Sequence, residues 1–322
     1  MESESGKVAP AVSSAGAGSV SSNPAAPKNV ARGLTLGLSA YLIWGSFPII
    51  ITLLGFATPW EIVVWRILFG LVAGVLFILV GRSWRTFVSV FANRQARPWL
   101  VLSSVMIMIN WTVYVYGVAI GHVVESSLGY FINPLVTIVL AVFFLREKLR
   151  PLQWVAVGLG AAAVLTLTID YGRLPWIALS LAISFGLYGL AKNKLADQVT
   201  ALHSYTFETV VLAPVALAML VGVAASGPVE FTRHGWAGAT GLALYGFLTA
   251  IPLILFGVAA QHLPLSWIGF MQYLTPIIQF TLGILYFHEE MPAARWVGFA
   301  LVWLGLSVLS ADMIRRSRQN AR

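Results

Sequence analysis

The sequence predicts an all-α integral membrane protein of ten transmembrane helices, built as two inverted five-helix repeats. Three observations predict it. The chain is 58% apolar and only 10% charged, with a mean hydropathy of +0.83, whereas soluble domains carry about 25% charged residues. Its basic residues gather on one side of the expected spans. And the chain matches itself at a shift of about 140 residues.

A span needs about 20 mostly apolar residues. Ten such runs occur, at 33–54, 61–81, 98–119, 126–145, 151–169, 174–191, 202–225, 236–260, 264–287 and 293–312. Ahead of them, residues 1–32 are rich in Ala, Ser, Gly and Pro and hold no aromatic residue. Such a stretch buries too little apolar surface to offset its ordering entropy, so it reads as a disordered tail. It lacks the basic-then-apolar layout of a cleavable signal peptide. With this tail placed inside, only Arg173, Arg233 and Arg295 of the 20 Lys and Arg fall in outside loops, and Arg66 falls within a span. That bias predicts a multi-pass protein of the inner or plasma membrane with both termini cytoplasmic, residues 314–322 forming a basic tail.

The internal match divides the chain. One shift lays Val118, His122, Ser126 and Gly129 on Val258, His262, Ser266 and Gly269. A shift two residues longer lays Pro134, Glu147, Trp154 and Asp170 on Pro276, Glu289, Trp296 and Asp312. The repeats are therefore 33–172 and 173–313. An odd number of spans per copy turns the second upside down, an arrangement used by secondary transporters to alternate access to a midplane site.

Along the chain, GLTLG (33–37), GLVAG (70–74) and GVAIG (117–121) are small-xxx-small motifs that let helices approach closely. Span 2 carries Arg66, and the repeat shift lays it on Glu208 in span 7. A charge in the membrane costs at least about 2.5–3.5 kcal/mol on insertion scales, so each must face the interior and find a partner. They can pair with each other or bind substrate groups, and Glu61 is a rival partner for Arg66. A static buried ion pair is the alternative. Glu208 is also the candidate proton carrier, because a buried carboxylate can titrate near neutrality. Span 3 offers Asn110, Tyr114, Gly117 and Gly121 on one face, with Trp111 beside it, for polar and flat organic groups.

The stretch HVVESSLGYFINPL (122–135) brings polar groups to the start of span 4. His122 to Glu125 fall in an outer loop and can stay wet. Ser126, Tyr130, Asn133 and Thr137 then share one helix face, and Pro134 frees the carbonyl of Tyr130. In span 9, Gln272, Thr275 and Gln279 share a face, and Pro276 frees the carbonyl of Gln272. Two polar stripes with helix kinks at Pro134 and Pro276 are expected to line a central cavity; interhelical hydrogen bonding is the alternative. Glu147 and Glu289 read as solvated charges at helix ends. His122 and His262 read as loop residues.

There is no cysteine, which excludes disulfides, thiol catalysis and Cys-ligated metals. No HExxH and no Walker-type loop occurs, so no catalytic residue, metal or cofactor is expected. The expected partners are the lipid bilayer, a small-molecule solute and a coupled proton or counter-solute, with no nucleic acid. The sequence does not fix an oligomeric state, a substrate or a direction.

Several strings carry a resemblance. YLIWGSFP (41–48), the Glu61-to-Arg66 block, NWTVYVYGVAIGHVVESSLGYFINPL (110–135), LPWIALSLAISFGLYGL (174–190), LPLSWIGFMQYLTPIIQF (263–280) and WLGLSVLSADM (303–313) resemble the RarD group of EamA-type transporters, in the drug/metabolite transporter superfamily. The resemblance covers about residues 33–313. It implies a ten-helix permease working by alternating access, with exchange or ion-coupled movement of small metabolites or drug-like solutes. It carries over no binding residues. A non-transporting scaffold or sensor, or a membrane-embedded enzyme, are the competing readings.

Overall fold

The computed structural model describes residues 29–145, 149–195, 198–263 and 271–320, and all its regular elements there are helices. They are α1 (Val30–Gly45), α2 (Phe47–Leu53), α3 (Pro59–Val80), α4 (Trp84–Ala92), α5 (Arg97–Ala119), α6 (Val123–Leu145), α7 (Pro151–Tyr171), α8 (Trp176–Leu195), α9 (Ala201–Ser226), α10 (Glu230–Arg233), α11 (Gly235–His262), α12 (Leu274–Leu285) and α13 (Ala293–Asn320).

Local chemistry sets the boundaries. Thr58 caps α3, its hydroxyl accepting from the Glu61 amide, with Pro59 opening the first turn. Thr200 caps α9 through the His203 amide. Gly172 closes α7 with φ +63, a conformation open to glycine at little cost. Between α1 and α2, Pro48 has no N–H for the carbonyl of Trp44, and the helix breaks at Ser46.

Among the described residues, eight helical segments are long and apolar enough to cross a bilayer, α1 and α2 together making the first. The ten-span expectation thus exceeds what length and composition establish. Expected span 6 corresponds to α8, and expected span 9 to the 12-residue α12; residues 264–270, and Glu147, lie outside the described residues. Pro134 lies inside α6. Pro276 instead sits in the first turn of α12, after a turn at Gln272 and Tyr273. Proline is tolerated there, so it begins a helix and does not kink one.

The main packing pairs are α7 with α13, α6 and α5 with α8, α3 with α9 and α11, α1 with α11 and α12, α6 with α12, and α5 with α9. Helices α3 and α9 are antiparallel. Glu61, at the start of α3, accepts from amides of α10, just past the end of α9. At the other end, Gly74 packs on Thr206, where a Cβ would lie 2.5 Å from the threonine hydroxyl.

Candidate functional site

Arg66 points from α3 into the largest buried cluster and is 4% exposed. Its guanidinium lies 4.4 Å from the Trp111 ring centre, 5.2 Å from Tyr245 and 5.4 Å from Phe47. One nitrogen, Nη1, donates to the Tyr245 hydroxyl at 3.0 Å. Its Nε has no hydrogen-bond partner, nor do the buried hydroxyls of Tyr114 and Tyr205. The phenols of Tyr114, Tyr130, Tyr205 and Tyr245 all lie close enough to feel its charge. Beside them, Tyr130 donates to Asn110 at 3.2 Å, and Asn110 donates to the Leu181 carbonyl and to Ser184, each at 3.2 Å. Arg66, Asn110, Trp111, Tyr114 and Tyr130 therefore lie together, drawn from three groups that the sequence kept apart. Phe47, Tyr205 and Tyr245 complete this cluster from α2, α9 and α11, and no periodicity in those segments marks them.

Arg66 does not pair with Glu208. Among the described residues no carboxylate lies within ion-pair distance of it. The cause is the antiparallel packing. Gly74 sits level with Thr206, so Arg66 and Glu208 stand about two turns apart along the helix axes. Glu61 is no partner either. Its carboxylate accepts from the Glu230 amide at 3.1 Å, the Phe231 amide at 2.8 Å and the Trp65 indole at 3.1 Å.

Glu208 is wholly buried and holds a second polar centre. Its Oε1 accepts from Lys192 at 2.5 Å, Ser103 at 2.6 Å and Ser204 at 3.2 Å. Its Oε2 has no partner. Charge counting places Lys192 in an inner loop. In the structure it belongs to the last turn of α8, with its side chain 24% exposed and its ammonium 4.9 Å from the Tyr188 ring centre. The signal for this was its spacing: Lys192 follows Tyr188 by one helical turn.

The polar stripes join helices. Asn133 donates to the Ala182 carbonyl at 3.1 Å, Thr275 to the Tyr41 carbonyl at 3.2 Å and Gln279 to the Trp44 carbonyl at 3.3 Å. Interhelical bonding accounts for these three. Gln272 departs from its expected face and is exposed.

Two acids expected to be solvated are anchored instead. Glu125, 1% exposed, binds Arg173 at 2.9 Å and His122 at 3.1 Å, and accepts from the Ile177 amide at the start of α8. Glu289 accepts from the Val123 and Val124 amides at the start of α6, at 2.5 and 3.0 Å. Helix N-termini are favourable places for carboxylates. Burial nevertheless pushes the Glu289 carboxyl up to about 7; its two amide bonds and Arg295 oppose the rise, and Glu125 adds to it. A polar cavity of about 420 Å³ lies here, lined by His122, Glu125, Asp170, Arg173, Glu289 and Arg295 among others. A larger cavity of about 640 Å³, lined by Phe56, Trp60, Met108, Thr112 and Met219 among others, is largely apolar and does not include Arg66. His262 ends α11.

The fold and these centres define a multi-pass helical membrane protein that encloses charge among its helices. Residues 31–169 match the EamA-like transporter family. Protein RarD of Streptomyces exfoliatus is 45% identical over 89% of this chain and 91% of its own length. Protein RarD of Escherichia coli is 36% identical over 92% and 99%, and an uncharacterized transporter of Pseudomonas aeruginosa is 40% identical over 91% and 98%. A solved crystal structure, at 17% identity, shares the fold with a TM-score of 0.56 over 88% of this chain and 98% of that one. The chain belongs to the RarD group of EamA-like transporters, within the drug/metabolite transporter superfamily, and is a membrane transporter of that superfamily.

Proposed function

We propose that this chain is a secondary active permease that moves a small organic solute, a metabolite or drug-like molecule, across the plasma membrane by alternating access. In this reading residues 33–172 and 173–313 are the two inverted five-span halves, and both termini are cytoplasmic. One observation carries it: exchanging the halves returns the principal packing pairs. Under that exchange α5 on α8 becomes α11 on α1, α6 on α8 becomes α12 on α1, and α3 on α11 becomes α9 on α5. The bond from Asn133 to Ala182 likewise becomes the bond from Thr275 to Tyr41. Two halves with interchangeable contacts can trade conformations at little cost, which alternating access requires.

Arg66, Trp111, Tyr114, Asn110 and Tyr130 are the proposed solute contacts, because their polar atoms are buried and partly unpartnered. Glu208 with Lys192 is the proposed coupling centre. Asn133, Thr275 and Gln279 hold the halves together. The test is a metabolite mixture offered to liposomes carrying the purified protein. Saturable accumulation or loss of a solute, absent from empty liposomes, is expected. Indistinguishable traces from loaded and empty liposomes refute the carrier reading.

A further inference from the structure

The Arg66 centre is short of negative charge. A guanidinium has five N–H donors, and the described residues give this one a single hydrogen bond, to Tyr245. Cation–π contacts contribute about 0.5–2 kcal/mol each, so the rings of Trp111, Tyr245 and Phe47 offset part of the cost of burying the charge. They do not supply a counter-ion, and they leave the donor edge of the fork open. Buried charges are otherwise paired, and removing one partner of a buried pair is strongly destabilising.

Two more orphans stand beside it. Tyr114 is 3% and Tyr205 2% exposed, and neither hydroxyl has a partner. The Trp111 and Tyr205 ring centres are 6.4 Å apart, and those of Tyr114 and Tyr130 are 5.8 Å apart. Three unmet donors thus sit on side chains of one aromatic cluster. A planar guanidinium fork matches a carboxylate in two parallel hydrogen bonds. Aromatic walls take a flat apolar body.

Building on the proposed carrier function, we infer that the solute bound here is a small organic monocarboxylate with a flat apolar body, its carboxylate on Arg66 with Tyr114 and Tyr205 as further donors. The bound solute supplies the charge that the fold withholds. Neutral amides of the same shape leave Arg66 uncompensated and bind poorly, since a site built to donate to an oxyanion loses those bonds with an amide.

The test is equilibrium binding to the full chain, purified in a neutral detergent without anionic lipid. Benzoate, phenylacetate and indole-3-acetate are compared with their amides by thermal shift and titration. At least one acid is expected to raise the unfolding temperature and to bind at least tenfold more tightly than its amide. Arg66→Met is expected to abolish that preference and Arg66→Lys to weaken it, because an ammonium lacks the fork. Should Arg66→Met fail to fold, the acid–amide comparison on the unaltered protein decides alone. Equal binding of acids and amides, no binding of any acid, or a preference that survives Arg66→Met overturns the inference. Acid binding without flux in liposomes supports it while removing the carrier reading. Flux of a neutral solute together with no acid binding does the reverse.

Discussion

Lys192 and Glu208 form an ion pair at 2.5 Å that ties α8 to α9, and its two members are buried unequally. The lysine side chain is 24% exposed and the carboxylate is not exposed at all. Removing one partner of a buried pair costs about 3–5 kcal/mol, because the other charge is stranded. Lys192→Met strands Glu208 where no water reaches it. Glu208→Gln strands Lys192, whose stem can carry the ammonium out to solvent. Lys192→Met is therefore the more destabilising change, and adding Glu208→Gln to it restores part of the loss. Thermal unfolding of the two single variants and the double variant measures this. Equal losses in both single variants would contradict it.

Glu289 makes a pH-dependent prediction. Its carboxyl is raised from the usual 4.5 to about 7, chiefly by burial. Between those values the folded chain binds more protons at this site than the unfolded chain does, so its contribution to stability falls as pH rises through that window and is flat above it. His122, Glu125, Asp170, Arg173, Glu290 and Arg295 line the same cavity and are the charged and titratable groups that face Glu289 there. Glu289→Gln keeps an acceptor for only one of the Val123 and Val124 amides, a loss that does not depend on pH, and it cannot ionise. Its unfolding temperature relative to wild type is expected to climb from about pH 4.5 to about pH 7. A constant difference across that range counts against the assignment.

Much of the fold was legible because lipid imposes long apolar runs and because a lone Arg or Glu within one stands out. Arg66 and Glu208 were visible for that reason, and so was the grouping of Asn110, Trp111 and Tyr114 on one span. Their partners were not. The ring set around Arg66 comes from four helices, and no local spacing encodes which of Phe47, Trp111, Tyr205 or Tyr245 will meet. The repeat match suggested that Arg66 and Glu208 can pair, but the antiparallel packing of α3 on α9 sets them about two turns apart. Glu61, Glu125 and Glu289 read as boundary charges because a sequence window does not reveal that another segment's helix N-terminus will be aimed at them.

Gln279 and Thr275 make similar bonds with different consequences. Thr275 donates to the Tyr41 carbonyl, whose helical partner position, Gly45, retains its N–H. Gln279 donates to the Trp44 carbonyl, whose helical partner position is Pro48, which has none. Thr275→Val thus removes a bond that supplements a full i+4 helical bond, while Gln279→Leu leaves the Trp44 carbonyl with only the short-range amide bond of the helix cap; both changes cost about 0.5–1.5 kcal/mol, the Gln279 change the more. Denaturation of the two variants ranks them. A larger loss for Thr275→Val would overturn this ranking.

Glu208 is the group through which proton movement is expected to be coupled to solute movement. Its Oε1 carries all three of its hydrogen bonds, and Oε2 carries none. A proton arriving at Oε2 neutralises the carboxylate and removes the attraction that holds Lys192 against α9. In the proposed reading the lysine is then free to turn toward its exposed side. Glu208→Gln fixes the neutral state while leaving Ser103 and Ser204 an amide to bond. Liposomes carrying the unaltered protein are expected to move solute faster under an imposed pH gradient than without one. The variant is expected to move it at one rate under both conditions. Undiminished gradient dependence in Glu208→Gln would mean that the proton travels by another group.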